Sequence, residues 1–316
     1  MTAWFPVSPC APSCIRPIAS AARPTLRVLR VCTAFPVLLA GIPLALVASR
    51  AGTSGRIRLT MIWARLVLLA LGVRIDLRYE AEPPGRTKDG VAPLLVANHT
   101  SWLDPLIFAA AVPGRLLAKR EVREWPLIGL LATAAGVLFI DRERLTALPQ
   151  AVGQVAGALR EGHPVVAFPE GTTWCGRGMG RFRPAVFQAA LDADAPVLPV
   201  ALRFLDGDAP TTAAAFVGED TLVASMLRVI AVRRLVAEVT LLPSPGRPAA
   251  HGEPARRAYA RLAEAAVAAA AHAEEDRLVY GLRPLDLPAA EPAAGIPQKA
   301  AGIPQKAAGI PLRKVS

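Results

Sequence analysis

The chain has little of several residue types, and each shortage excludes a class of protein. Only four of its 316 residues are cysteine, which excludes a small domain held together by disulfides. Charged residues make up 19% and hydrophobic residues 53% of the chain, a balance that excludes wholesale disorder and favours contact with lipid. Only one stretch is apolar for long enough to cross a bilayer, which argues against a multi-span transporter.

Acidic residues are outnumbered, with 25 Asp and Glu against 36 Lys and Arg and a net charge of +11. A basic surface attracts nucleic acid, anionic lipid headgroups or phosphorylated substrates. Aromatic residues make up only 5% of the chain and no nucleic-acid-binding motif is present, so we expect membrane lipids and no nucleic acid as partners. The cysteines are Cys10, Cys14, Cys32 and Cys175. None has a partner at a metal-ligand spacing, which predicts free thiols in a reducing compartment and no metal site.

The long apolar stretch runs without a charge from Val31 to Ser49 and is just long enough to span a membrane. Pro36 and Pro43 are expected to kink it. Basic residues flank it on both sides, so the positive-inside rule gives no orientation, and a bent or re-entrant anchor is preferred over an ordinary crossing. A second apolar stretch, Met61–Val73, is shorter and contains a charge, which favours an interfacial helix.

From residue 74 to residue 245 short apolar runs alternate with helical patterns, which predicts an α/β fold with a largely parallel sheet flanked by helices. Buried strands are predicted at Pro93–Ala97, Leu116–Ala118, Gly136–Ile140, Pro164–Phe168, Pro196–Leu202 and Ala237–Leu242. Helices are predicted between them at Pro105–Ala111, Ala147–Arg160, Pro184–Asp192 and Thr221–Val229.

Segments of different character precede and follow this domain. The predicted organisation is a disordered extension (1–30), membrane-anchoring helices (31–73), the α/β domain (74–245), a C-terminal helical segment (246–288) and a disordered low-complexity tail (289–316). The tail repeats AAGIPQK, and the Gly-Ile-Pro of each repeat breaks helices, which argues against a coiled coil.

The first segment that could carry chemistry is Asn98–Pro105, directly after the strand-like run LLVA. On an ideal helix, His99 and Asp104 would lie about 140° apart. They can therefore meet only if His99 lies in the loop and Asp104 reaches back from the first turn of the next helix. Asp104 would then accept a hydrogen bond from Nδ1–H and leave Nε2 as a base. The alternative is that Asp104 only starts a helix whose first turn contains Pro105.

The second segment is Phe168–Trp174, which reads FPEGTTW and follows another apolar run. Such a tight loop at the carboxyl edge of a sheet is where open α/β folds place ligands. We expect Glu170 to accept from substrate hydroxyls, and Gly171 and Thr172 to offer backbone N–H groups to an anion. The alternative is an ordinary β-turn followed by a helix cap.

Together these segments resemble the NHxSxxD (HX4D) and FPEGT motifs of the glycerolipid acyltransferase family, which includes lysophosphatidic acid acyltransferases. Two more blocks follow the family order: Gly136–Arg142 resembles GxxFIxR, and Val197–Val200 resembles the fourth block. The resemblance covers about residues 75 to 245.

The resemblance implies acyl transfer from acyl-CoA or acyl carrier protein to a lysolipid hydroxyl, with 1-acyl-sn-glycerol-3-phosphate as the preferred acceptor and phosphatidic acid as product. By the same resemblance, His99 would be the base and Asp104 would orient it. Arg142 would contact an anionic acceptor group, while Glu170 and Gly171, together with Thr172, would position the acceptor. No metal or other cofactor is implied. We expect a cell-membrane protein with its catalytic domain on the cytoplasmic side.

One departure leaves the acceptor open. Thr173 stands where many family members that use lysophosphatidic acid have an arginine that helps to hold phosphate. The candidate replacements for that cation are Lys119, Arg177, Arg181 and Arg183. FPEGTT also resembles the branch of the family that acylates lyso-ornithine lipid. Two alternatives therefore stay open: acylation of lyso-ornithine lipid or another lysolipid, and a non-catalytic lipid-binding protein.

Overall fold

The computed structural model describes residues 7–80, 87, 89–141, 145–249 and 251–280. Residues 1–275 form one compact unit, and residues 276–316 form a second one, of which only the end of a helix, to Tyr280, is described. The predicted low-complexity tail lies outside the described residues.

The described part contains eight α-helices, eight strands and three short 3-10 helices. The helices are α1 Pro24–Arg50, α2 Thr53–Leu71, α3 Asp104–Ala111, α4 Ile128–Ala134, α5 Leu148–Arg160, α6 Ala185–Ala193, α7 Leu222–Ala231 and α8 Gly252–Tyr280. The strands are β1 Val73–Tyr79, β2 Leu94–Ala97, β3 Arg115–Lys119, β4 Leu138–Ile140, β5 Val165–Ala167, β6 Val197–Asp206, β7 Ala209–Pro210 and β8 Leu235–Leu241. The 3-10 helices are Pro12–Cys14, Arg120–Glu124 and Leu145–Ala147.

The strands form one sheet in the order β1-β8-β6-β2-β5-β3-β4, with β7 paired to β6. Strand β6 runs antiparallel to β7 and β8, and the other pairs are parallel. The prediction of a largely parallel sheet flanked by helices is therefore confirmed. Strand β1 was not predicted from the sequence, although it pairs with β8 along its whole length.

Helices cover both faces of the sheet, and alternate residues of β2 belong to the cores on the two faces. Leu95 and Ala97 belong to the core under α2, α3 and α7. Leu94 and Val96 belong to the core under α5, α6 and α8. All four side chains are buried, because a parallel strand covered on both faces alternates between two cores and not between core and solvent. An unbroken apolar run is the sequence signature of that environment.

The two N-terminal helices form a packed hairpin. Gly41 allows α1 to approach α2 closely, since a Cβ at this position would lie 2.8 Å from the ring of Trp63. The indole Nε1 of Trp63 donates a hydrogen bond of 2.9 Å to the carbonyl of Val37. Helix α1 is the one described helix that is long and apolar enough to cross a membrane. It leaves large apolar side chains exposed, among them Phe35 and Leu46.

The boundaries of this region differ from the predicted ones because charged residues were taken as segment ends. Helix α1 begins at Pro24, and α2 begins at Thr53, several residues before the apolar stretches. Arg30 lies inside α1 and is 7% exposed. Its guanidinium donates to the carbonyls of Ile230 and Val232 at 2.7 and 2.6 Å, at the end of α7, where a cation is favourable. The predicted boundary at residue 30 therefore falls within a helix.

Residues 7–23, predicted as part of a disordered extension, make specific contacts with the α/β domain. The backbone N–H of Ser20 donates to the Asp206 carboxylate at 2.7 Å, and that of Ala22 donates to the carbonyl of Ala231 at 2.8 Å. Arg16 donates its backbone N–H to the Thr212 hydroxyl at 2.7 Å. These partners are about two hundred residues away in the chain, so the local sequence carries no signal of the order they impose.

Candidate active site

Both motifs lie at the carboxyl edge of the sheet. Strands β2 and β5 are parallel neighbours in register, with Val96 opposite Ala167. The segment that contains His99 follows β2, and the segment that contains Glu170 follows β5. Because the carboxyl ends of neighbouring parallel strands lie side by side, the sheet brings the two loops together at the place where α/β folds bind ligands.

The side chains of His99 and Asp104 are in direct contact. His99 lies in the loop, and Asp104 is the first residue of α3, so the carboxylate reaches back toward the imidazole. Asp104 Oδ2 lies 2.7 Å from His99 Nδ1 and also accepts from the backbone N–H groups of Thr100 at 2.6 Å and Ser101 at 2.8 Å. Asp104 is fully buried, whereas 20% of the His99 side chain is exposed. An acceptor on Nδ1 assigns the ring proton to that atom and leaves Nε2 able to take a proton.

Aromatic packing fixes the plane of the imidazole. The His99 ring stacks on Phe168 with centroids 4.4 Å apart and 21° between the planes. Phe168 in turn packs edge-on against Phe108 of α3, with centroids 5.5 Å apart. Since α3 also carries Asp104, one helix positions both the carboxylate and the aromatic pair behind the ring. A side chain held in this way loses little entropy when a substrate binds beside it.

Glu170 supports the backbone of the site. Its Oε1 accepts from the backbone N–H of His99 and its Oε2 from that of Gly180, each at 2.7 Å, and the residue is 2% exposed. Burial raises the pKa of Glu170 to about 8, against the opposing effect of these two hydrogen bonds. The sequence analysis expected Glu170 to accept from substrate hydroxyls. In the structure both oxygens are already used to join the two motif loops, so we assign Glu170 a positioning role.

The rest of the FPEGTT segment continues the loop that follows β5. Gly171 donates its backbone N–H to the carbonyl of Phe168 at 3.2 Å and has φ of 79°, a conformation that glycine adopts without strain. Its N–H is thus engaged within the turn and not presented to an anion as expected. Thr172 is half-buried in the same loop, and the Thr173 hydroxyl donates to the carbonyl of Phe216.

Two further contacts hold the loops that carry the motifs. Trp174 donates its backbone N–H to the carbonyl of His99 at 2.7 Å. Asn98, to which the sequence analysis gave no separate role, makes two hydrogen bonds with the backbone of Leu202 on β6, at 2.9 and 2.8 Å. The amide side chain of Asn98 therefore continues the pairing between β2 and β6 beyond the end of β2. The signal in the sequence was an asparagine directly after an apolar run.

The candidate phosphate-binding cations lie in different places. Arg177 is exposed and lines a cleft of about 40 Å³ together with Arg16 and Thr100, which brings it next to the HX4D loop. Lys119 ends β3 and is exposed, as is Arg181. Arg183 is half-buried, and its backbone N–H donates to the carbonyl of Pro169 at 3.0 Å. Arg142, predicted to contact an anionic acceptor group, lies outside the described residues.

The fold and the site together define an α/β protein with a histidine–carboxylate base at the carboxyl edge of a mostly parallel sheet. The sequence profile of the Acyltransferase family matches residues 85–203, which include His99 and Asp104 as well as Glu170.

Curated relatives agree with this match. A 1-acyl-sn-glycerol-3-phosphate acyltransferase of Neisseria meningitidis serogroup B is 34% identical over 175 residues, which cover 55% of this chain and 67% of that protein. A lyso-ornithine lipid O-acyltransferase of Pseudomonas aeruginosa is 35% identical over 205 residues, which cover 64% of this chain and 76% of that protein.

The fold is also similar to that of a solved structure. The crystal structure of the 1-acyl-sn-glycerophosphate (LPA) acyltransferase PlsC from Thermotoga maritima aligns with a TM-score of 0.54 at 19% identity, covering 80% of this chain and 96% of that one. This likeness concerns the fold. With the sequence matches and the site geometry, the conclusion is plain: the chain belongs to the glycerolipid acyltransferase family.

Proposed function

We propose that the protein transfers a fatty acyl group from a thioester donor, acyl-CoA or acyl carrier protein, to the free hydroxyl of a lysolipid. The observation that carries this proposal is the 2.7 Å contact between His99 Nδ1 and the buried carboxylate of Asp104. It leaves Nε2 as a base at the edge of the sheet where α/β folds bind substrates.

In the proposed reaction, His99 Nε2 takes the proton of the acceptor hydroxyl while the hydroxyl oxygen attacks the thioester carbonyl. A new carbon–oxygen bond forms and the carbon–sulfur bond breaks. The imidazolium then returns its proton to the leaving thiolate, so the donor departs as a free thiol. Asp104 stabilises the positive charge on the ring between these two transfers. The residues of the chain supply a base and its orientation, and no covalent acyl-enzyme is needed.

The N-terminal helices fit a membrane-bound enzyme that acts on lipids. Helix α1 exposes Val28 and Phe35 as well as Leu46 and Val47, while α2 packs against the core of the α/β domain through Val67 and Leu68. We propose that α1 inserts its exposed apolar side into the bilayer, with the catalytic domain on the cytoplasmic side. The sheet edge that carries His99 would then receive the lysolipid acceptor from the membrane surface.

For the acceptor we propose 1-acyl-sn-glycerol-3-phosphate, which gives phosphatidic acid. A specific observation favours a second candidate, lyso-ornithine lipid. The residue after FPEGT is Thr173, whose hydroxyl donates to the Phe216 carbonyl, so this position offers a neutral structural contact and no cation for a phosphate. The Pseudomonas relative named as a lyso-ornithine lipid O-acyltransferase also matches over a larger part of its own length than the Neisseria relative does.

The test is acyl transfer by membranes that contain the protein. Labelled acyl-CoA and acyl carrier protein are each offered with 1-acyl-sn-glycerol-3-phosphate or with lyso-ornithine lipid, and the diacyl product is measured. We expect product with at least one acceptor, and none from the His99→Ala variant. His251→Ala is the matched control, since His251 is exposed and directly precedes α8.

The outcomes separate the proposals. Transfer to the phosphate acceptor supports phosphatidic acid synthesis, and transfer only to the ornithine acceptor assigns the second candidate. Transfer by His99→Ala at the wild-type rate would refute the mechanism. If folded protein in the membrane gives no product with any donor and acceptor, the proposed acyltransferase activity is refuted. That result would favour a non-catalytic lipid-binding protein.

A further inference from the structure

Three of the four cysteines converge in space. Cys10 and Cys14 lie on either side of the start of the 3-10 helix Pro12–Cys14, and Cys175 lies in the loop after FPEGTT. Their sulfur atoms all lie within 4.8 Å of one another. All four cysteines are free thiols, as predicted, and Cys32 is exposed on α1. The spacing along the chain gave no metal-ligand partner for any of them, because the third sulfur comes from a residue far away in the sequence.

The surroundings suit a soft metal ion. Cys175 is 6% exposed and packs with Ala215 and Val217, and Ile15 packs against the same cluster. The thiolate sulfur atoms of a tetrahedral Zn²⁺ site lie about 2.3 Å from the metal, which sets them about 3.8 Å apart. The observed separations therefore need to shrink by about 1 Å at most, a change that side-chain rotation can supply. Thiolate sulfur selects zinc and copper(I) over harder cations.

We propose that Cys10, Cys14 and Cys175 form a binding site for one Zn²⁺ ion. The metal bonds to three sulfur atoms, each thiol releases its proton to solvent, and a water completes the tetrahedron. No electron is transferred. Two positive charges on the metal and three negative charges on sulfur leave one negative charge at the site.

A nearby cation balances that charge. A hydrogen bond from the Ala11 backbone lowers the pKa of the Cys14 thiol, and the positive charge of Arg177 acts in the same direction. Arg177 lines the same cleft as Cys175. Cys175 also donates its backbone N–H to Cys10 Sγ at 3.3 Å. A hydrogen bond of this kind is a common support for a thiolate that ligates a metal.

The site would join the N-terminal segment to the catalytic loop. Cys175 directly follows Trp174, whose backbone N–H donates to the carbonyl of His99 at 2.7 Å. On the other side, Cys10 and Cys14 belong to a segment that the Thr212 hydroxyl holds through the backbone N–H of Arg16. A metal ion bound to all three sulfurs would therefore fix the loop behind the catalytic histidine, which is the task of a structural zinc site.

The experiment uses the full-length protein in detergent, reduced and stripped of metal. Zn²⁺ is titrated against a chromophoric chelator, and Co²⁺ is bound in a parallel sample to record the absorption of tetrahedral thiolate coordination. We expect one metal ion per chain, and at least a hundredfold weaker binding for Cys10→Ser, Cys14→Ser and Cys175→Ser. Cys32→Ser is the matched control and should bind like the wild type. Circular dichroism checks that each variant is folded, and Cys14→Ser, which replaces a partly exposed thiol, serves if Cys175→Ser does not fold.

Each result decides the proposal. Stoichiometric binding that the three variants weaken and Cys32→Ser does not would support it. No binding by the reduced wild type, or binding that the Cys14→Ser variant retains in full, would overturn it. Mass spectrometry of the untreated protein that finds a disulfide among the three cysteines, with no metal uptake after reduction, would overturn it in favour of a redox link.

Discussion

The sharpest test of the site geometry is the substitution Asp104→Asn. In the wild type one oxygen, Oδ2, accepts from His99 Nδ1 and from the backbone N–H groups of Thr100 and Ser101. Asparagine has the same shape but only one acceptor oxygen and no charge. If that oxygen takes the place of Oδ2, it keeps all three contacts but no longer carries the negative charge that stabilises the protonated ring.

The magnitude follows from the lost charge and the changed tautomer. If the amide N–H₂ takes the place of Oδ2 instead, Nδ1 becomes an acceptor and the ring proton moves to Nε2, which then cannot take a proton from the acceptor hydroxyl. Replacing the carboxylate in a histidine–carboxylate pair by its amide lowers kcat by about 10⁴. That loss corresponds to about 5.5 kcal/mol of transition-state stabilisation at about 1.36 kcal/mol for each factor of ten.

The assay is acyl transfer at saturating donor and acceptor, with kcat and KM measured separately. We expect kcat to fall by about 10³ or more with little change in KM, since Asp104 is fully buried and reaches the reaction only through His99. Asp89→Asn, in an exposed turn, is the matched control and should retain wild-type kcat. Thermal unfolding checks that the variant is folded. A folded Asp104→Asn protein with kcat within tenfold of the wild type would refute the assignment of His99 as an oriented base.

Three further predictions concern stability. Arg30→Met removes the hydrogen bonds to the carbonyls of Ile230, Val232 and Arg233. It should lower the free energy of unfolding, measured by denaturant titration, by about 3 kcal/mol. An equal loss in the exposed control Arg58→Met would contradict this reasoning. Gly41→Ala places a Cβ 2.8 Å from the Trp63 ring, so it should lower the midpoint of thermal unfolding and shift the tryptophan fluorescence. Gly153→Ala is the control, because the space around its Cβ position is open; it should stabilise α5 by about 0.5 to 1 kcal/mol. For Glu170, the pKa is raised from 4.5 to about 8 in the folded state. Between these two pH values the folded protein therefore binds more protons than the unfolded one. The contribution of protonated Glu170 to the free energy of unfolding is present below pH 4.5 and is lost as the pH rises through about 8. We expect unfolding titrations at several pH values to show this decline in the wild type and not in Glu170→Gln; equal slopes for both proteins would show that Glu170 does not titrate in this range.

Much of the fold and the core of the site could be predicted from the sequence, because both are encoded in contiguous residues. The run LLVA identified β2 as a strand buried on both faces, and the five-residue step from His99 to Asp104 required the loop-to-helix geometry that the structure has. Both motif loops follow parallel strands, so their meeting at one edge follows from the topology. The positions of these segments depend on local chain geometry and on the hydrophobic pattern, and both can be read directly from contiguous residues.

Other features were decided only by tertiary contacts. Glu170 was expected to face substrate, yet its oxygens hold the backbones of His99 and Gly180. The order of residues 7–23 depends on partners such as Asp206, and Cys175 lies beside Cys10, from which it is 165 residues away in the sequence, and beside Cys14. Each of these cases rests on hydrogen bonds or packing between residues far apart in sequence. Neither propensity nor spacing records such pairs, because only the folded sheet and its loops determine which distant atoms come within reach of one another.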